Sequence, residues 1–220
     1  MNGETKLFGG IILATLVIVG GAIFFLSRPS SVTPQKADEK LLMGTHHYEI
    51  STASAKATLV EFGDYECPAC GAYAPVVDQV LKDFSGSLNY VFREYPLTSI
   101  HPNAMLGSEA AQAAGLQGKY WQMHEILYQK QNEWSVVDGA TARKDILGYA
   151  KNIGLNVEQF TKDLDSNTVK NYVQADMNDG DALGINQTPT FYLNGVMMNN
   201  PSSLADFESA VRAAITAPSK

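Results

Sequence analysis

The chain has 220 residues, of which 45% are hydrophobic, 10% aromatic and 18% charged, with 18 glycines and 9 prolines. That composition excludes disorder and collagen, and a folded part of about 180 residues buries about 70% of its unfolded surface, enough for a core without staples. Lys and Arg number 16 against 23 Asp and Glu, a net charge of -7, and no basic cluster is long enough to track a phosphate backbone, so no nucleic-acid partner is expected.

Residues 1–6 form a short N-terminal tail. Leu7 to Leu26, LFGGIILATLVIVGGAIFFL, carries no charge, and at 1.5 Å per residue a helix of this length crosses the ~30 Å hydrocarbon layer. Phe24, Phe25 and Leu26 run directly into Ser27 and Arg28 with no small-x-small site, which favours a retained single-pass anchor over a cleaved signal peptide. Charge counting orients it poorly, because Lys6 on one flank faces Arg28, Lys36 and Lys40 on the other. Ser27 to Lys40 has two prolines, three serines and no apolar periodicity, and reads as a flexible tether. The soluble domain, 41–220, is expected to begin near Leu41.

Ala57 to Gly63, ATLVEFG, reads as a strand, and Cys67 to Phe84 carries helical spacing at Cys70, Tyr73, Val77, Val80 and Leu81. Leu88 to Arg93 is a second strand, so the order strand, helix, strand implies a right-handed parallel crossover. From Pro102 to Leu183 the pattern is helical, with segments around SEAAQAAG, at Tyr120–Gln131, Ala142–Ile153, Asn156–Leu164 and Thr168–Met177. Strands return at Thr190–Leu193 and Val196–Met198 around the hairpin signal Asn194-Gly195, and Ser203 to Asp206 reads as a capping box opening a last helix that ends near Ile215.

The chemistry concentrates at Cys67-Pro68-Ala69-Cys70, the only two cysteines, placed where a strand ends and a helix begins. Residues three apart on a helix hold their Cβ atoms about 5 to 6 Å apart, so a local, reversible disulfide is feasible. Cys67 meets unpaired N–H groups and the positive helix end, which stabilise a thiolate; Cys70, one turn in, is expected to be buried and protonated, suited to resolving a mixed disulfide. Pro68 fixes φ where no N–H bond is lost. A zinc site needs four ligands, and His46, His47, His101 and His124 stand in unrelated contexts, so no metal is expected. A static structural disulfide is the other reading of the spacing alone. Three distant features favour redox chemistry: Glu61, an acid on a buried strand; Thr188-Pro189, where cis geometry would expose backbone to a peptide; and the tight hairpin at Asn194-Gly195.

With these residues the chain resembles the thioredoxin superfamily, and within it the DsbA-like branch with a helical insertion. The resemblance rests on Thr58-Leu-Val-Glu-Phe62, Cys67-Pro-Ala-Cys70, Phe92-Arg-Glu-Tyr-Pro-Leu97, His101-Pro-Asn-Ala104, Gly118-Lys-Tyr-Trp121 and Thr188-Pro-Thr-Phe-Tyr-Leu-Asn-Gly195. It implies an α/β thioredoxin fold with an α-helical subdomain inserted at about 101–184, preceded by one N-terminal transmembrane helix. It further implies Cys67 as nucleophile, Cys70 as resolving thiol, Glu61 as the buried carboxylate assisting proton transfer and Pro189 as the cis-proline, with Pro68, Ala69 and Thr188 forming their surroundings. No organic cofactor is needed beyond the Cys67–Cys70 disulfide. The expected partners are unfolded or newly translocated proteins bearing thiols and a membrane redox partner that regenerates the disulfide. The expected location is membrane-anchored, with the catalytic domain outside the cytoplasm.

Ala69 stands where the strongest oxidants of this branch carry His, and Glu66 lies beside Cys67, so the expected oxidant is weaker than the His-containing members. The same scaffold run in reverse, as a reductase or isomerase, and a redox-inert binding or chaperone module are the rival readings. The remaining tempting residues have plainer roles. His124 is expected to be packed, His101 to precede a helix, and His46-His47 to begin an edge strand. Tyr120, Trp121, Tyr128 and Trp134 are expected in the core or groove walls. Asn186-Gln-Thr188 is a coincidental sequon, and Asp163–Asp165 and Asp176–Asp181 are solvated helix faces.

Overall fold

Strand β2 (Ala57–Gly63) is apolar on both faces because both are covered. In this computed structural model, which describes residues 36–217, β2 pairs in parallel with β3 (Leu88–Glu94) and antiparallel with β4 (Thr190–Leu193). The edges are β1 (Tyr48–Ile50), antiparallel to β3, and β5 (Val196–Met197), antiparallel to β4, giving the order β1-β3-β2-β4-β5. The crossover from β2 to β3 is α2 (Pro68–Asp83).

Alternation along the strands sorts the core into two layers. Leu59, Tyr90, Phe92 and Phe191 face α2 and the last helix, α9 (Leu204–Thr216), packing with Val77, Val80, Phe207 and Val211. Val60, Phe62, Val91 and Tyr192 face the other way, onto Leu42 of the short helix α1 (Glu39–Met43) and Ile185. Ser203 caps α9 as its sequence implies, its Oγ accepting Asp206 N–H at 3.1 Å.

Between β3 and β4 lie α3 (Ala104–Gly115), α4 (Tyr120–Gln129), α5 (Gln131–Trp134), α6 (Gly139–Asn152), α7 (Val157–Leu164) and α8 (Asn167–Ala182), so the connection between these two strands is helical. The alanines of α3 let its neighbours approach: Ala110, Ala111, Ala113 and Ala114 are all buried. Gly107 is required here, because a Cβ would stand 2.8 Å from the Trp134 ring. Trp134 is wholly enclosed, its indole N–H donating to Leu127 O at 2.9 Å.

Two expectations change. Asp176, read as part of a solvated helix face, is buried at 2% exposure, because Arg93 on β3 is buried with it. Arg93 donates through Nε to Asp176 Oδ1 (2.9 Å), through Nη2 to Asp179 (2.6 Å) and through Nη1 to the carbonyls of Leu41 and Leu42, joining sheet, insertion and α1. The tether assigned to Ser27–Lys40 also ends sooner. Ala37 N–H donates to Gly195 O at 2.8 Å and Asp38 caps α1, so the chain is pinned to the domain from there on. The anchor assigned to residues 7–26 lies outside the described residues; among those described, no helix is long and apolar enough to cross a membrane.

Removing the cation leaves Asp176 in a desolvated site with no counter-charge. Arg93→Met is therefore expected to destabilise the fold by about 3–5 kcal/mol. Urea unfolding checks this, and the double variant Arg93→Met, Asp176→Leu should recover much of the loss.

Candidate active site

β2 stops at Gly63, and Asp64 folds the next residues into a turn. Asp64 Oδ1 accepts Glu66 N–H at 2.8 Å, and Asp64 O accepts Cys67 N–H at 3.1 Å. Asp64 Oδ2 accepts from Leu97 N–H (2.9 Å) and His101 Nδ1–H (2.6 Å), fastening the turn to the loop after β3. Cys67 is then the N-cap of α2, with Pro68 in the first turn. Pro68 and Ala69 are exposed.

The helix mouth puts the two thiols in unequal surroundings. Cys67 keeps 7% of its surface exposed and Cys70 none, so an incoming sulfur meets Cys67. Both are free thiols here, and Cys67 Sγ–H donates to Thr188 O at 3.5 Å. The Cys67 pKa falls from 9.0 to about 5, chiefly because the Cys70 thiol hydrogen-bonds to the sulfur. The Thr188 side chain and the N–H groups of Cys70 and Ala69 assist, against the opposing effect of burial. Thr188 Oγ1 has no partner among the described residues while Cys67 is a thiol. A thiolate can no longer donate to Thr188 O, and this hydroxyl is then the free donor beside it. Burial drives the Cys70 thiol the other way, well above its ordinary value, with the hydrogen bond to Cys67 and the nearby Glu61 adding to the effect.

Glu61 occupies the β2 position that faces α2, at 3% exposure. Its pKa rises to about 7 because burial disfavours the carboxylate; Tyr90 Oη–H, donating to Oε2 at 2.7 Å, pulls part of the way back. The Thr188–Pro189 peptide bond is cis, and Asn200 Nδ2–H donates to Pro189 O at 2.9 Å, leaving Thr188 O turned to the sulfur. Cys67, Cys70, Glu61, Thr188 and Pro189 thus lie around one helix mouth.

Glu66, beside Cys67 in sequence, is engaged by the insertion. Its carboxylate accepts Asn103 N–H at 2.6 Å, and the groups that set the Cys67 pKa are Cys70, Thr188 and the helix N–H donors. Sequence reasoning missed the clamp this reveals. Gln131 at the start of α5 donates through one Nε2 to Tyr65 O (2.8 Å) and Cys67 O (2.9 Å), and Asn103 reaches on to Val137 O at 2.9 Å. Gly71 makes room, because a Cβ there would run into the Gln131 side chain. His101, expected only to precede a helix, bonds Asp64. His124 is packed as expected: burial lowers its pKa to about 3, and its Nδ1 lies 2.9 Å from Tyr65 Oη. Tyr120 continues that line by donating to buried Glu94 at 2.8 Å. Among the described residues, no group of three or more His, Cys, Asp or Glu side chains is arranged to hold a metal ion.

An ionisable N-cap thiol, a sealed partner thiol, a buried acid below them and a proline-turned backbone beside them define a dithiol–disulfide exchange scaffold. The chain belongs to the thioredoxin family, whose model, described as "Thioredoxin", matches residues 44–213. Curated relatives carry another name. "Na(+)/H(+) antiporter NhaA 1" of Salinispora arenicola is 36% identical over 160 residues, 73% of this chain and 23% of that protein. Its namesake from Mycolicibacterium vanbaalenii is 33% identical over 219 residues, 93% of this chain and 33% of that protein. The chain therefore spans about a quarter to a third of the length of these relatives.

Among solved structures, a thioredoxin-like oxidoreductase from Silicibacter pomeroyi superposes with TM-score 0.68 at 26% identity, covering 83% of this chain and all of the other. Oxidised BdbD from Bacillus subtilis gives TM-score 0.70 at 21% identity, covering 84% and 98%. The thiol-disulfide exchange protein alpha-DsbA2 of Wolbachia pipientis gives 0.67 at 19%, covering 79% and 89%. The last two share the fold.

Two outcomes follow from the electrostatics. Iodoacetamide alkylation of the reduced protein should titrate at Cys67 with a midpoint near 5, while Cys70 stays unreactive into alkaline pH. Folding holds Glu61 protonated from its ordinary 4.5 up to about 7, so across that window the unfolded chain releases a proton that the folded chain keeps. The fold then loses stability as pH rises through the window, by ~3 kcal/mol in all. Glu61→Gln removes that loss, and its urea midpoint should overtake the wild type's between pH 5 and 7.5.

Proposed function

We propose that this chain, a thiol:disulfide oxidoreductase, works as a disulfide donor to proteins outside the cytoplasm, tethered by residues 7–26 and reoxidised by a membrane redox partner. One observation carries the direction: the Cys67 thiol, brought down to about 5, is an anion at neutral pH. Stabilising that anion stabilises the reduced protein, and near pH 7 the two pKa units it gains over neutral amount to ~60 mV of added oxidising strength.

The exchange proceeds in two displacements. A substrate thiolate attacks Cys67 Sγ in the Cys67–Cys70 disulfide, and the bond to Cys70 breaks. Cys70, whose site disfavours the anion, leaves with a proton from Glu61. A second substrate thiolate then attacks its own mixed-disulfide sulfur and releases Cys67 as the stable thiolate. The substrate backbone runs past Thr188 and Pro189 in extended form, pairing through main-chain groups, which gives broad choice of client. No organic cofactor, metal or nucleic acid takes part. Ion transport is not carried over from the antiporters, because the match covers only part of those chains.

The reduction potential tests the direction. A redox titration against glutathione at pH 7 should place Cys67–Cys70 above the ~ -270 mV of a reducing thioredoxin and below the ~ -120 mV of the strongest oxidants. The potential should fall by about 59 mV per pH unit below the Cys67 pKa and about 30 mV above it, as the couple changes from two protons to one. A value near ~ -270 mV assigns the scaffold to reduction instead. Cys67→Ala should abolish turnover and Cys70→Ala should accumulate mixed disulfides; retained activity in Cys67→Ala would mark a redox-inert module.

A further inference from the structure

The N–H groups of Ala69 and Cys70 help to hold the Cys67 sulfur as an anion, and both belong to the first turn of α2, where backbone donors have no partner within the helix. They reach Sγ only while the backbone at Cys67 keeps its N-cap conformation, φ -67° and ψ 120°. Two carbonyls fix that conformation from outside, Tyr65 O and Cys67 O. Both accept from the same nitrogen, Gln131 Nε2, at 2.8 and 2.9 Å. A side-chain amide nitrogen carries two hydrogens, so both of its donors are committed to the turn. Cys67 O also accepts Gly71 N–H at 3.1 Å, the first bond of the helix.

Gln131 is itself held from behind. It opens α5, and Trp134, three positions on, lies on the same side of that short helix. Trp134 is enclosed in the insertion, with its indole N–H on Leu127 O and its ring against Gly107 of α3. The helix α5 is therefore a strut, with an aromatic foot in the core of the insertion and an amide on the dithiol turn. Across from the amide stands Gly71 of α2, where a Cβ would lie 3.0 Å from Nε2 and closer still to Oε1. The two elements meet at this point because neither carries a bulkier side chain there.

We propose that Gln131 is a positioning residue for the exchange reaction: its amide holds the turn so that the first N–H groups of α2 stay aimed at Cys67 Sγ, and the insertion thereby sets the oxidising strength of the pair. The inference rests on the function proposed above and names the residue that tunes it. Without the amide, the Tyr65 and Cys67 carbonyls are free to turn, and the N–H groups of Ala69 and Cys70 lose their line to the sulfur. The negative ends of two peptide dipoles beside it are no longer offset either. The anion is then held less well, the reduced form loses its advantage over the disulfide, and the pair becomes a weaker oxidant.

The test is iodoacetamide alkylation at Cys67 of the reduced full chain across acid pH, paired with a redox titration against glutathione and with urea unfolding. Gln131→Met keeps the length of the side chain and removes both hydrogens. It is uncharged, as glutamine is, so Cys70 on α2 and Glu61 on β2, the titratable groups that face Cys67, are left in place. Gly71→Ala displaces the same amide from the opposite side, at a position where alanine is the better helix former. Each should raise the Cys67 midpoint by about one unit, a tenfold loss in the ionisation equilibrium, and lower the potential at pH 7 by about 30 mV. A residue that only supports the fold would lower the urea midpoint and move neither of these. A Cys67 midpoint within about 0.3 unit of the wild type's in Gln131→Met, or in Gly71→Ala should the first variant not fold, overturns the assignment. A wild-type midpoint at that of an ordinary thiol removes the donor function itself, so the two failures are told apart.

Discussion

Unequal access of water to three groups governs this site. Cys67 opens to solvent at the end of a helix whose N–H donors point at it, Cys70 is closed off one turn below, and Glu61 lies beneath both in the sheet. Burial acts on all three in the same sense, against charge. Only Cys67 has donors enough to outweigh it, from Cys70, Thr188 and the first turn of α2. The site therefore sorts one negative charge to the outermost sulfur and keeps protons on the two inner groups. The sheet makes this possible by ending β2 at Gly63, so that an acid two residues back looks up at the helix that follows.

The inserted helices do more than enlarge the domain. Gln131 spans the Tyr65 and Cys67 carbonyls, Asn103 binds Glu66, and His101 binds Asp64, so three residues from two segments beyond β3 hold the turn that presents the nucleophile. Glu66 illustrates the effect. A carboxylate next to a thiolate in sequence is an electrostatic liability, and the Asn103 N–H draws it aside. Arg93 and Asp176 in turn lock the last insertion helix to the sheet, so that the clamp and the sulfur share one rigid frame.

Much of this was legible in the residues alone, for reasons that differ by element. β2, α2 and the CxxC reveal themselves because their signals are local: a continuous apolar run, a helical spacing, a proline in the first turn. Glu61 was legible because an acid in such a run is expensive unless it has a use. The clamp was not, because Gln131 lies 64 residues from Cys67 and has no neighbours in sequence that mark it as anything but a helix terminus. Asp176 was read as solvated for the same reason. Its partner is 83 residues away, and a run of acids looks like a surface until a buried guanidinium is placed beside one of them. Four-residue α5 carries too little periodicity to be found, and its position comes from Trp134 in the core; the edge strand expected to begin at His46-His47 is three-residue β1, placed by its pairing with β3.

The bond from Ala37 N–H to Gly195 O has a mechanical meaning. It fastens the root of the N-terminal segment to the hairpin that follows Pro189, while α1, the next element, is bolted to Arg93 from the opposite side. Both contacts are made to the sheet and its outer hairpin rather than to α2. Pulling on the chain at Ala37 therefore loads the sheet before it loads the dithiol helix.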